Sequence, residues 1–198
     1  MFESINDVKI IGRAPALNDI IVQMDQSMQE IANDTEIIKS IILTYGDSIY
    51  GEQYQTVCAS VQELSSILVQ ASEYINSVQH DLVRYIDDVD SFQGRAPSAL
   101  PAMPHNVQVV NVEANIAHDQ FTKDEYLLIL NTLRNYINAT LERKIKILRD
   151  KSNIGAIWQD SQYTQFSDAI DEIASIIDQG AMILDDYANY LSTIIANL

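Results

Sequence analysis

The chain carries few side chains suited to chemistry, and their spacing decides what they can do. The histidines are His80, His105 and His118, scattered and mostly outside any regular pattern. A zinc or di-iron site draws ligands at His-x-x-x-His or Glu-x-x-His spacing on one helix face, and neither spacing occurs. Cys58 is the one cysteine, which excludes an internal disulfide and Cys-based zinc. With no histidine near it in sequence, it reads as a small buried residue. Asp87-Asp88 and Asp185-Asp186 lie on helical stretches without a basic or histidine companion along the face, so they read as solvated surface. No glycine-rich phosphate loop, G-x-S-x-G or P-loop is present. The residues therefore predict no catalytic site, no metal site and no cofactor. One electrostatic oddity stands out. Asp87, Asp88 and Asp90 fall at a helix C-terminus, where they oppose the macrodipole, so something cationic should answer them.

The elements that must position these residues follow from composition and period. The formal net charge of −16 on 198 residues repels phosphate backbones, which argues against nucleic acid. Six basic residues do cluster between Arg134 and Lys151, where aromatic stacking groups are sparse, and read as cations near a helix C-terminus. The N-terminus has no basic region followed by an apolar one, and no apolar run reaches the roughly 18 residues of a membrane span. The expected location is the cytoplasm, with export only by a route independent of a signal peptide. Glycine and proline are few, and Pro97, Pro101 and Pro104 fall in one stretch, so a few long elements are expected rather than many turns.

Stepping by sevens from Tyr54 gives Val61, Leu68, Ile75, Leu82 and Val89; three residues on from each are Val57, Leu64, Ala71, Val78, Tyr85 and Phe92. Every slot is apolar or aromatic, a 3.5-residue period that only an α-helix presents as one stripe. Adding 109 reproduces the stripe as Tyr163, Ile170, Ile177, Leu184, Leu191 and Leu198, with Phe166, Ile173, Gly180, Tyr187 and Ile194. Ala71 and Gly180 share the small slot, where a neighbouring helix can come close. Upstream, Ile21, Met24, Met28, Ile31, Thr35, Ile38, Ile42 and Tyr45 map at an offset of 106 onto Leu127, Leu130, Arg134, Ile137, Leu141, Lys144, Leu148 and Lys151. The second copy is the more degraded, and the change of offset predicts three extra residues near its turn.

The chain thus reads as all-α: a helical hairpin over 17–92, a proline-bearing extended linker over 93–121, and a second hairpin over 123–198. Helix one should start near Pro15–Asn18 and stop at Gly46; helix two should run from Ser48 to Phe92. Thr122 and Glu125 make a capping box for helix three, which should stop near Asn153–Gly155. A linker of this length can run the length of helices about 60 Å long, so the hairpins are expected to pack antiparallel as a four-helix bundle. That packing is expected to bring Arg143, Lys144, Lys146, Arg149 and Lys151 near Asp81, Asp87, Asp88 and Asp90.

The second turn reads Asn153-Ile-Gly-Ala-Ile-Trp158-Gln-Asp160-Ser-Gln-Tyr163-Thr-Gln-Phe166. Trp158 after a tight turn, with Phe166 eight residues on, resembles the WXG family of helical hairpins associated with type VII secretion. The family pattern has glycine where this chain has Asp160. The first turn reads Ile49-Tyr50-Gly51 with Val57, keeping the glycine and lacking the tryptophan. Family members pair as antiparallel four-helix bundles, so the resemblance implies an intramolecular pseudo-dimer, able to act as a monomer, that binds a helical region of a larger secreted protein or of the secretion machinery. The family's export pattern, Tyr-x-x-x-Asp/Glu, is not met at Tyr187 or Tyr190, which are followed at that spacing by Leu191 and Ile194; this favours the partner role over the substrate role. Trp158 can close the turn as a core residue or serve in recognition, and the sequence leaves both open. The alternative function is a structural or adaptor bundle of the cytoplasm, unrelated to secretion.

Overall fold

The computed structural model describes residues 14–45, 52–96, 100, 107 and 122–198. Four long helices make up nearly all of it: α1 (Ala14–Tyr45), α2 (Glu52–Phe92), α3 (Lys123–Gly155) and α4 (Ser161–Asn197). Pro15 sits in the first turn of α1, where its missing N–H is not needed. Helix α2 ends in a Schellman motif. Gly94 takes φ +69°, its N–H bonds to the Ser91 carbonyl, and the Arg95 N–H reaches back to Asp90. The Thr122–Glu125 capping box forms as expected, each side chain satisfying the other residue's backbone N–H. The expected start of helix two at Ser48, the first turn with Ile49 and Gly51, and nearly all of the 93–121 linker lie outside the described residues.

Helix α1 packs against α2 and α3, and α4 packs against α3 and α2, so the bundle is a square with α2 and α3 across a diagonal. One half of the core joins Leu17, Met24 and Met28 of α1 to Leu68 and Ile75 of α2, Ile147 and Ile154 of α3, and Phe166 and Ile170 of α4. The other joins Ile38 and Ile42, Val57 and Val61, Leu133 and Tyr136, and Leu184 and Leu191. Early α1 thus meets late α2, late α3 and early α4. The two hairpins pack antiparallel, with their turns at opposite ends of the bundle.

That register corrects the expected charge pairing. Among the described residues no ion pair joins the cations of α3 to Asp81, Asp87, Asp88 or Asp90 of α2, which lies across the diagonal. Arg143 instead bridges Glu30 and Asp34 of α1, at 2.9 and 2.5 Å, while Lys144 pairs with Asp178 and Lys151 with Asp171 of α4. Arg84 takes Asp81, and Arg95 takes Asp90.

Burial also corrects the offset between α1 and α3. At 106 the slots Leu127 and Arg134 are exposed, and Lys144 and Lys151 are only half-buried. At 105 the buried Met24, Met28, Ile31, Thr35 and Ile42 map onto the buried Ile129, Leu133, Tyr136, Thr140 and Ile147. The second hairpin therefore carries four extra residues near its turn rather than three (109 − 105), and the apparent degradation of α3 came from reading it one residue out of phase. Four residues are about one helical turn, so the insertion keeps both apolar faces inward.

The heptad stripes drift in both hairpins. A 3.5-residue repeat falls behind the helix by about 20° per heptad. Tyr85 is 38% exposed beside the buried Ile86 and Phe92 is 80% exposed, while Val89 of the same stripe stays buried. Ile194 likewise yields to the buried Ile195. Tyr85 and Ile194 are equivalent at the 109 offset.

The seam inside the first hairpin is polar. Gln79 donates to Asn18 at 2.6 Å, Ser72 to Asp25 at 3.1 Å, and Ser65 to Glu36, which also holds Lys39 at 2.5 Å. Except for Lys39 these side chains are buried. At the same positions of the second hairpin stand Lys123, Leu130 and Leu141 on α3 and Ala188, Ala181 and Ala174 on α4. Buried polar pairs of this kind hold one register, because sliding the helices would leave each group unsatisfied.

Candidate functional site

The second turn is built by backbone hydrogen bonds and one side-chain cap. Trp158 N–H returns to the Ile154 carbonyl at 2.8 Å and Ile157 N–H to the same oxygen at 2.9 Å, which winds the chain once past the end of α3. Asp160 then caps α4: its Oδ1 accepts from Gln162 N–H at 2.8 Å and Tyr163 N–H at 3.0 Å. A carboxylate satisfies two otherwise orphaned donors and meets the positive end of the helix dipole, which a glycine could not do.

Tyr163 ties the turn back onto α3, donating its hydroxyl to the Lys151 carbonyl at 3.1 Å. Its ring fills the space where a Gly155 side chain would begin; a Cβ there would overlap the Tyr163 hydroxyl. A side chain at Gly155 would therefore have to displace the Tyr163 hydroxyl that bonds to the Lys151 carbonyl. Phe166 is fully buried and stacks on Tyr74 of α2, with centroids 6.4 Å apart. Trp158 is half-buried. Its ring lies 6.1 Å from Tyr163 and 6.0 Å from Phe166, and it packs on the edge of the core while lining an open groove.

That groove, about 680 Å³, runs between the C-terminal half of α2 and the second turn. Tyr74, Val78, Leu82 and Tyr85 line it from α2; Trp158 and Phe166 line it from the other side. Asp81, Arg84, Asp88 and Asp160 carry its charges. Asp81 is neutralised by Arg84 at 2.8 Å, Asp160 spends one oxygen on its cap, and Asp88 is exposed with no partner among the described residues. Burial holds the Tyr74 phenol above its usual range, so that ring is neutral and the carboxylates set the charge of the groove.

Of the residues singled out from sequence, Trp158, Asp160, Tyr163 and Phe166 come together here. Val57 is buried at the far end of the bundle. Ala71 is buried near the middle, and Gly180 meets Leu64 of α2: a Cβ on Gly180 would stand 2.6 Å from Leu64 Cδ2. Ile49 and Gly51 lie outside the described residues. Sequence reading missed the α2 wall. Tyr74 lies off the heptad stripe, while Val78, Leu82 and Tyr85 belong to it and were read only as part of one apolar stripe. Drift of the heptad stripe could have flagged Tyr85, which is exposed, but not Val78 and Leu82, which stay half-buried against the core. Among the described residues no group of three or more His, Cys, Asp or Glu side chains is placed to hold a metal ion. No described helix is long and apolar enough to cross a membrane.

The fold and site define an all-α four-helix bundle with an aromatic groove among the described residues. No known protein family, curated protein or solved structure matches this chain.

Proposed function

We propose that this chain is a non-enzymatic interaction protein that docks a protein partner in the groove beside Trp158, and that it serves type VII secretion as a chaperone-like partner or as a substrate. The observation that carries the docking reading is the position of the indole. A tryptophan needed only to close the turn would be buried like Phe166; Trp158 keeps part of its ring on the wall of an open groove. Tryptophan and tyrosine concentrate binding energy in such settings, because they contribute large area with few rotatable bonds. The secretion setting is supported by the resemblance of the Trp158–Phe166 turn, and by the antiparallel pairing of two hairpins that the resemblance implies. On this reading the protein works in the cytoplasm as a monomeric pseudo-dimer, and its partner is a helical region of a secreted protein or of the secretion machinery.

The test is affinity capture from the organism that makes it, using wild type, Gln165→Tyr and Gln179→Tyr. Gln165 is exposed on the groove wall, and Gln179 is exposed on the same helix away from it. Both changes preserve charge and core. Wild type and Gln179→Tyr should retain a secreted helical protein or a secretion component that Gln165→Tyr loses. Equal capture by all three would remove the groove from the account. Groove-dependent capture of partners with no link to secretion would leave the adaptor reading in its place.

A further inference from the structure

The chemistry of the groove says what kind of partner segment it takes. Resting on the docking reading above, we infer that the groove receives a basic amphipathic segment, with a lysine or arginine head held by Asp88 and an apolar flank laid on Trp158 and Tyr74. Three observations support this. The walls are aromatic on both sides, and a cation is attracted to the face of an aromatic ring, most strongly to tryptophan. The charges at the groove are three carboxylates and one guanidinium; Arg84 pairs with Asp81 and Asp160 caps α4, so Asp88 is the carboxylate left without a partner among the described residues. The whole chain carries −16, so the field that steers a partner towards it favours positive charge.

Other occupants fit worse. An acidic segment would set like charges together in a partly desolvated groove. A wholly apolar one would cover Asp88 without pairing it, and unpaired buried charge is costly. The length of the site is also defined. Its α2 wall runs from Tyr74 to Asp88, about 21 Å of helix, which matches a partner helix of about 14 residues.

Trp158 is the single tryptophan, so its fluorescence reports the groove directly in the full-length protein. The probes are three synthetic amphipathic helices of about 14 residues, free of tryptophan, with leucine on one face and lysine, glutamine or glutamate on the other. The lysine peptide should shift Trp158 emission saturably and bind more tightly than the other two. Asp88→Lys should weaken it by about tenfold, while Asp185→Lys, an exposed reversal elsewhere on α4, should change it by less than about twofold. If the glutamine or glutamate peptide binds as tightly, or if the two reversals weaken binding equally, the basic-segment inference is wrong although groove docking stands. If no peptide moves the Trp158 emission, the inference is also overturned. Loss of the host partner on Gln165→Tyr then decides separately whether docking survives.

Discussion

At the scale of single residues, the turn assigns Trp158 two duties at once. Its ring packs on Tyr163 and Phe166 yet remains half-buried, so truncation should cost less than for a core aromatic and more than for a surface one. Denaturant melts of Trp158→Ala should show a loss of about 2 kcal/mol. A loss under about 0.5 kcal/mol would mean the ring does not pack at all. Asp150 makes the opposite case, a residue that costs stability. It is 3% exposed on α3, its Oδ2 has no hydrogen-bond partner among the described residues, and Arg149 approaches Oδ1 only to 3.9 Å. Burial pushes its carboxyl up, against the weaker pull of Arg149 and Lys146. A carboxyl raised in the folded state binds its proton more tightly there than in the unfolded chain. Its penalty is therefore absent below the unfolded pKa, grows as pH rises through the folded one, and is full above it. Asp150→Asn should stabilise the protein at pH 7 by about 1–2 kcal/mol, and the gain should shrink as the pH falls towards about 4. A gain that does not change with pH would show that charge is not the cause.

At the scale of elements, much was legible because long helices repeat one simple rule. The apolar stripe of α1 was legible from Ile21 to Ile42, all of whose slots are buried, and glycine and capping residues marked the C-terminal end of α2 and both ends of α3. The phase of α3 was not legible, because it carries apolar residues in adjacent pairs: Ile129-Leu130, Tyr136-Ile137 and Ile147-Leu148. A one-residue slip keeps about half the matches while turning the stripe by about 100°. Burial on the folded bundle decides between the two. The polar seam was hidden for a similar reason, since Ser65, Ser72 and Gln79 follow a heptad but look like surface until α1 supplies Glu36, Asp25 and Asn18. Gly180 shows how close the helices come. Gly180→Ala should lose about 1 kcal/mol net, because crowding Leu64 outweighs the gain in helix propensity. In a Leu64→Ala background the same substitution should stabilise by about 1 kcal/mol. Chemical denaturation of the four proteins checks it; additive effects would show that the two residues do not touch.

At the scale of the whole molecule, the groove exists only because the hairpins are antiparallel. Its two walls come from the end of the first hairpin and the turn of the second, about 75 residues apart in sequence (Asp81 to Trp158 spans 77). No local pattern could place them together, and the α2 wall was invisible until the register was known. The unequal seams fit the same arrangement: a polar first hairpin and an apolar second one differ in sequence while sharing a backbone plan, so each keeps to its own partner helix. The most direct measurement is the distance between spin labels at Asp81→Cys and Gln162→Cys in a Cys58→Ala background, by pulsed electron resonance on the full chain. Asp81 and Gln162 are exposed and line the same groove. Antiparallel packing predicts a narrow distribution within about 25 Å, one helix spacing plus the label arms. Parallel hairpins would move the second turn beside the first and set the labels about 45 Å apart, the rise of about 30 helical residues; that result would contradict the fold, the groove and the proposed docking together.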